Sequence, residues 1–249
     1  MGKRIWQMQK GKEPDTLDLS IYDDVTADYF DLITGETVHS ETSAKYFKEE
    51  LEKYPDVKKI NLFIRSHGGD FLEGTAIYCL LKRHSAEKVV HIDGFACSAA
   101  ATIAMVGDKV IMPRNSMLFI HKVWATVSGN AEDLRKAADD MDIMMEANRQ
   151  AYLQKSNGKI SETKLKELLN AGTWLTADSC LKYGFADEVT DGKADPALAR
   201  QAQQRIASAQ KQVIGYSAAL TKQAEEFKKA ASQSKLSRML EAVATKNRL

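Results

Sequence analysis

Cysteine is scarce in this chain: three in 249 residues, Cys79, Cys97 and Cys180, all within apolar or helical patterns. An odd number so placed excludes a disulfide framework and reads as reduced, buried thiols of an intracellular protein. Long apolar runs are missing as well. No stretch approaches the roughly 18 to 20 residues that cross a bilayer, and Met1-Gly2-Lys3-Arg4-Ile5-Trp6 lacks the apolar core of a signal peptide. The expectation is a cytoplasmic protein with no membrane partner. No Cys/His pair has zinc spacing, and Gly68-Gly69 lacks the lysine and spacing of a phosphate-binding loop, so no cofactor and no metal are expected. A large net charge is also lacking, and nucleic acid is not among the expected partners. Lys/Arg number 35 and Asp/Glu 34, leaving +1. Ten of the basic and four of the acidic residues lie from Asp195 onward, so a mildly acidic body of 25 against 30 carries a basic tail.

What is present suffices for a core. A chain of this length with 44% hydrophobic residues accommodates one large domain, with or without an appendage, and excludes disorder throughout. Residues 1–15 read as a polar N-terminal arm, 16–194 as the folded body and 195–249 as the tail. No internal repeat of fixed period stands out. Thr16 to Tyr22 alternates with period two, as a half-buried strand does. After Ser40, Ala44, Phe47 and Leu51 share a helical face. Lys59 to Arg65 reads as a strand, Phe71 to Arg83 as a helix, and Lys88 to Ile92 as a further strand. The recurrence of strand, turn and helix points to parallel βαβ units, in which ligands collect beyond the carboxyl ends of strands.

Further on, Asn130 with Asp133 reads as an N-cap with a first-turn carboxylate. It opens a helix of about twenty-five residues whose apolar stripe is Leu134, Ala138, Met141, Met145 and Tyr152. Such a stripe is either core or, on a helix this long, a projecting partner surface. A second helix starts near Ser161 and ends around Asn170. The segment from Thr173 to Asp178 opens a short helix that stops at Gly184, and Phe185 to Val189 closes the body. In the tail, Ile206, Val213, Leu220 and Phe227 recur every seven residues, but Ala209, Tyr216 and Gln223 are weak companions for a coiled coil. An exposed marginal helix or a partly disordered arm is expected there.

The chemistry gathers at Gly94-Phe95-Ala96-Cys97-Ser98-Ala99-Ala100, small residues between a strand pattern and a helix pattern. A serine on such a turn is useful where the next backbone N–H and a glycine loop bind a carbonyl oxygen turning negative. Ala99 and the turn His67-Gly68-Gly69 supply those donors. Met117-Leu118-Phe119-Ile120 then delivers His121, a candidate general base. The plainer alternative is that Ser98 caps the helix and His121 merely ends a strand. Cys97 is expected to point away from residue 98, into the packed strand.

These segments resemble the Clp protease proteolytic subunit family, within the wider Clp/crotonase fold, and more narrowly the Clp-like head maturation proteases of tailed bacteriophages. The likeness rests on Ile64-Arg65-Ser66-His67-Gly68-Gly69, the Ser98 segment, Phe119-Ile120-His121, Thr173-Trp174-Leu175-Thr176-Ala177 and Tyr183 to Val189. It spans roughly Thr16 to Asp191. The resemblance implies an α/β fold of repeated βαβ units with a projecting long helix and a helical or partly disordered tail. It implies a serine endopeptidase with nucleophile Ser98, base His121 and oxyanion donors Gly69 and Ala99, assembled as a homo-oligomeric ring. Its protein substrates would be scaffold or coat proteins, in the host cytoplasm or procapsid. The chain departs from the family twice. His67 replaces the usual proline, as a bystander or a substrate contact. Asn170 stands nearest the family's third catalytic position, usually aspartate. An asparagine holds the imidazole tautomer without balancing its charge; Glu167 or Asp178 are the substitutes. A crotonase-type acyl-CoA enzyme and a non-enzymatic capsid-assembly protein are the competing readings. A membrane signal-peptide peptidase needs an anchor and a catalytic lysine that the sequence does not assign.

Overall fold

The computed structural model describes residues 6–31 and 34–190, so the tail read over 195–249 lies outside the described residues. Alternation builds the sheet. In β5 (Lys59–Ser66) burial changes at every residue, and β2 (Thr16–Ile21) sets Leu17, Leu19 and Ile21 in parallel register with Ile60, Leu62 and Ile64. Every second residue of both strands therefore enters one core. A parallel pair needs a crossover, which α1 (Ala44–Leu51) provides here, and α2 (Phe71–Arg83) carries the chain on from β5 to β6 (Glu87–Cys97). Both helices start on side-chain caps: Ser43 accepts from Tyr46 N–H, and Asp70 from Leu72 and Glu73 N–H.

The short helix α3 (Ala99–Ala104) follows, then β7 (Lys109–Pro113), β8 (Met117–Ile120), α4 (Ala131–Ser156), α5 (Glu162–Ala171), β9 (Thr173–Thr176), α6 (Ala177–Tyr183) and β10 (Glu188–Thr190). With β1 (Trp6–Lys10), the strands form one eight-stranded sheet in the order β1-β2-β5-β6-β7-β10. Off this path β8 pairs with β6, and β9 with β8. Only β1·β2 and β8·β9 are antiparallel, so the sheet is mostly parallel and the chain mixed α/β, as read above.

Several features differ from expectation. Part of the polar arm is β1, zipped onto β2, and a hairpin of β3 (Tyr29–Asp31) and β4 (Glu36–Val38) stands where no element was read. Three-residue strands carry too few alternations to register as a pattern. Thr173 to Thr176 forms a strand before its helix, because β8 offers that segment an edge. Cys79 is exposed rather than buried: α2 buries Gly74, Ile77 and Leu81, and residue 79 falls on the opposite face. Cys97 and Cys180 are buried. Asn130 and Asp133 form the expected reciprocal cap on α4, yet no residue of that helix before Met145 is buried. Leu134 is 46% exposed and Ala138 is exposed, so the first half of the stripe is surface and only the second, with Met145 and Tyr152, is core; Ile143, outside the stripe, is 67% exposed.

Candidate active site

Three parallel strands end side by side. Ser66 of β5 pairs with Ala96 of β6, and Cys97 of β6 with Phe119 of β8. The residues just past these ends are therefore neighbours: Gly68-Gly69, Ser98 and His121. Getting β6 between β5 and β8 requires a bulge. From Ile64 to Ser66 β5 advances two residues, while its partner advances four, from Ile92 to Ala96, with Gly94 at φ +95°. The bulge turns the end of β6 from β7 toward β8, and Ser98 N–H then donates to Phe119 O at 2.8 Å. A cleft of about 480 Å³ lies over the three ends and is lined by all four of those residues and by Ala99.

Ser98 is not a helix cap. A capping serine is extended and accepts from the N–H groups of the first turn. Ser98 instead has φ +54° and ψ −124°, with no side-chain cap bond. Such a conformation costs on the order of 1–3 kcal/mol in a non-glycine residue and persists only where surroundings enforce it. Here they do: all six residues of α3 are buried, and at Gly74 of α2 a Cβ would lie 2.7 Å from the Ala99 Cβ. Cys97 faces the packed side as expected. Burial pushes its thiol far above the ordinary value of 9.0, so it is no nucleophile at neutral pH.

The glycine turn is equally determined. Gly68 N–H donates to Ser66 Oγ (3.0 Å), Gly68 O accepts from Val25 N–H (2.7 Å), and Asp70 N–H donates to Val25 O (2.8 Å). Among the described residues this leaves Gly69 N–H without an acceptor, and Ala99 N–H, at the start of α3, likewise. A Cβ on Gly69 would fall 2.1 Å from Val25 O at φ +136°, so only glycine can occupy the turn.

His121 is half-buried and stacks on Phe119, with ring centroids 5.2 Å apart. Its Nδ1 lies 2.5 Å from Lys122 O. A carbonyl only accepts, so Nδ1 carries the proton and Nε2 keeps its lone pair. Burial lowers the ring's pKa below the ordinary 6.5, against a smaller opposing effect of the bond to Lys122 O, so the imidazole is neutral at pH 7. Ser98 and His121 share the cleft but are not hydrogen-bonded to each other.

Asn170 does not join them. It is exposed on the last turn of α5, lines no part of the cleft, and makes no side-chain hydrogen bond among the described residues. Glu167 pairs with Lys164 at 2.9 Å, and Asp178 with Arg114 at 2.8 Å, both at the surface. The partner of Nδ1 is thus a main-chain carbonyl, which leaves no side-chain signature in a sequence. His67 lines the cleft with its ring tilted against Phe95, Nδ1 3.6 Å from Asp24 Oδ1 and a buried, unpartnered Nε2. Two further wall residues escaped sequence reading. Thr102 Oγ1 donates to Asn148 Oδ1 (3.2 Å) and lies 3.3 Å from the Tyr152 hydroxyl, tying α3 to α4. The apolar part of the lining includes Phe71, Leu72, Val123, Trp124 and Met144.

A hydroxyl on an enforced turn, two unengaged N–H groups and a neutral imidazole are the parts of a nucleophilic acyl-transfer site. Comparison with known proteins defines the class more closely. The chain belongs to the Clp protease family, whose pattern it matches over residues 21–193. It is 28% identical over 167 residues to ATP-dependent Clp protease proteolytic subunit 1 of Prochlorococcus marinus, covering 65% of this chain and 84% of that protein. Against proteolytic subunit 3 of Rhodococcus jostii it is 27% identical over 167 residues, 66% of this chain and 82% of the relative. Against proteolytic subunit 2 of Streptomyces coelicolor the identity is 30% over 143 residues, 56% and 64% of the two chains. Among the described residues, no helix is long and apolar enough to cross a membrane.

Proposed function

We propose that the chain is a Clp-type serine endopeptidase with Ser98 as nucleophile, His121 as general base and the N–H groups of Gly69 and Ala99 as oxyanion donors. The observation that carries the reading is Ser98 itself, held at φ +54° with no capping bond beside two unengaged N–H groups. In the reaction His121 Nε2 takes the Ser98 proton while Oγ attacks the peptide carbonyl. The oxyanion is met by the two amides, and the proton passes to the leaving amine. Water then attacks the acyl-enzyme by the same route. Lys122 O supports the imidazolium as a dipole; a role for Asn170 requires Nδ1 to change partner on assembly. Asn170→Ala with unchanged turnover removes it from the scheme.

The exposed first half of α4 supports a homo-oligomeric ring built on that helix. The motif likeness to phage head maturation proteases, within the broader crotonase-like superfamily, supports scaffold and coat proteins as the substrates, met in the host cytoplasm or procapsid. A fluorophosphonate probe is expected to label the wild type and not Ser98→Ala, and intact mass is expected to show scaffold protein cut only by the former. Processing by Ser98→Ala at the wild-type rate overturns the assignment. A second reading, a non-enzymatic assembly protein on this scaffold, is favoured by the missing carboxylate at His121 and the unformed Ser98–His121 bond. An unlabelled Ser98 and an uncut scaffold in assembled particles establish it.

A further inference from the structure

One buried thioether lies behind the base. Met145, 4% exposed in α4, accepts a hydrogen bond at its Sδ from Val123 N–H at 3.1 Å. The N–H of residue 123 and the C=O of residue 122 belong to one rigid peptide plane. The same plane therefore receives His121 Nδ1–H at its oxygen and offers its hydrogen to sulfur. On the other side of Lys122, its own N–H donates to Leu169 O of α5 at 3.1 Å. The segment bearing the base is thus fixed twice, once from α5 and once, through Met145, from α4.

We propose that Met145 is a positioning residue for His121, acting through the Lys122–Val123 peptide, which takes the place of a third catalytic side chain. The chain Sδ···H–N–C=O···H–Nδ1 orients the carbonyl and polarises it. An oriented carbonyl selects the Nδ1–H tautomer, and a polarised one supports the imidazolium formed when Nε2 takes the serine proton. A leucine would fill similar space yet accept nothing. Other charged or titratable side chains along the cleft are Asp24, Asp70, His67, Lys122 and Tyr152, and none is bonded to the His121 ring. Because α4 supplies both Met145 and the exposed surface that the proposed ring would use, its placement can reach the base through this one plane.

The inference rests on the peptidase reading, but its test has an independent readout. In the full chain, ¹⁵N-labelled His121 reports tautomer and pKa by NMR, while turnover reports chemistry. Met145→Leu is expected to raise the Nε2–H tautomer fraction, to lower the His121 pKa, and to reduce kcat about tenfold with KM within about twofold. Met145→Gln, whose amide oxygen accepts from Val123 N–H more strongly than a thioether, is expected to restore the tautomer and to raise the His121 pKa above that of the wild type. A folded Met145→Leu with wild-type tautomer and pKa overturns the proposal. If Met145→Leu does not fold, Met145→Gln decides alone: a stronger acceptor must raise the His121 pKa, and an unchanged value overturns it. A tautomer shift in a protein without turnover upholds the positioning chain and removes the peptidase reading instead.

Discussion

The two halves of the proposed catalytic apparatus are held very differently. Ser98 and the glycine turn are backed by the packed core, with every residue of α3 buried and the turn tied twice to Val25. His121 opens a segment, 121–130, whose side chains are mostly exposed and which leads into the uncovered half of α4. There Trp124 is 61% exposed. The proposed nucleophile and oxyanion donors are thus set by folding, where dense packing resists small shifts. The proposed base depends on a few hydrogen bonds at a surface, the kind of element that partner contacts or ligands can bias.

That contrast can be broken at either end. Gly69→Ala is the severest test of the rigid half: a Cβ 2.1 Å from Val25 O at a left-handed φ is expected to cost about 3 kcal/mol or more, with activity lost alongside. Urea titration and turnover measured together check it. A stable, active variant would mean that the turn is pliable. Ile143→Ser is the counterpart on the projecting half. It should leave urea stability of the subunit within about 0.5 kcal/mol yet dissociate the proposed ring in light scattering. An unchanged particle mass removes that surface from the interface.

Titration sharpens the same comparison at smaller scale. Since burial holds His121 below 6.5, kcat/KM should rise with pH along a single acid limb whose midpoint lies below that value. A midpoint at or above 6.5 would indicate a solvated or carboxylate-paired ring. His91, half-buried and stacked 4.9 Å from Phe63, is also lowered by burial, with Asp93, Lys59, Asp18 and Glu188 as its charged neighbours. Folding favours its neutral form. The stability it contributes is therefore complete above about 6.5 and is lost as pH falls through its lowered folded value. His91→Gln should flatten that loss in thermal melts between pH 7 and 5. Smallest in energy is thiol access: Cys79 should alkylate in the native protein, and Cys97 and Cys180, whose thiol is pushed up to about 12 by burial, only on unfolding.

Much of the fold was legible because its elements are long and strongly patterned. The bounds of α2, the Asn130 cap of α4, the Ser161 cap of α5 and the left-handed stop at Gly184 all follow from local chemistry. The hairpin of β3 and β4 and strand β9 did not, because short strands are defined by the edges they meet. At the site, Ser98, His121 and the glycine turn were visible as residue types at strand ends. The partner of His121 Nδ1 was not, since a peptide carbonyl is common to every position and only the path of the chain selects one.

The ladder between β6 and β8 has one further consequence. Side chains along a strand alternate sides, so the smallest slip of β8 that keeps Leu118 and Ile120 inward is two residues, or about 6.6 Å of travel. A one-step slip would turn the imidazole to the wrong side altogether. Sliding therefore cannot detune the distance from base to alcohol by degrees; that strand has only discrete stations, and fine adjustment is left to the residues that follow it.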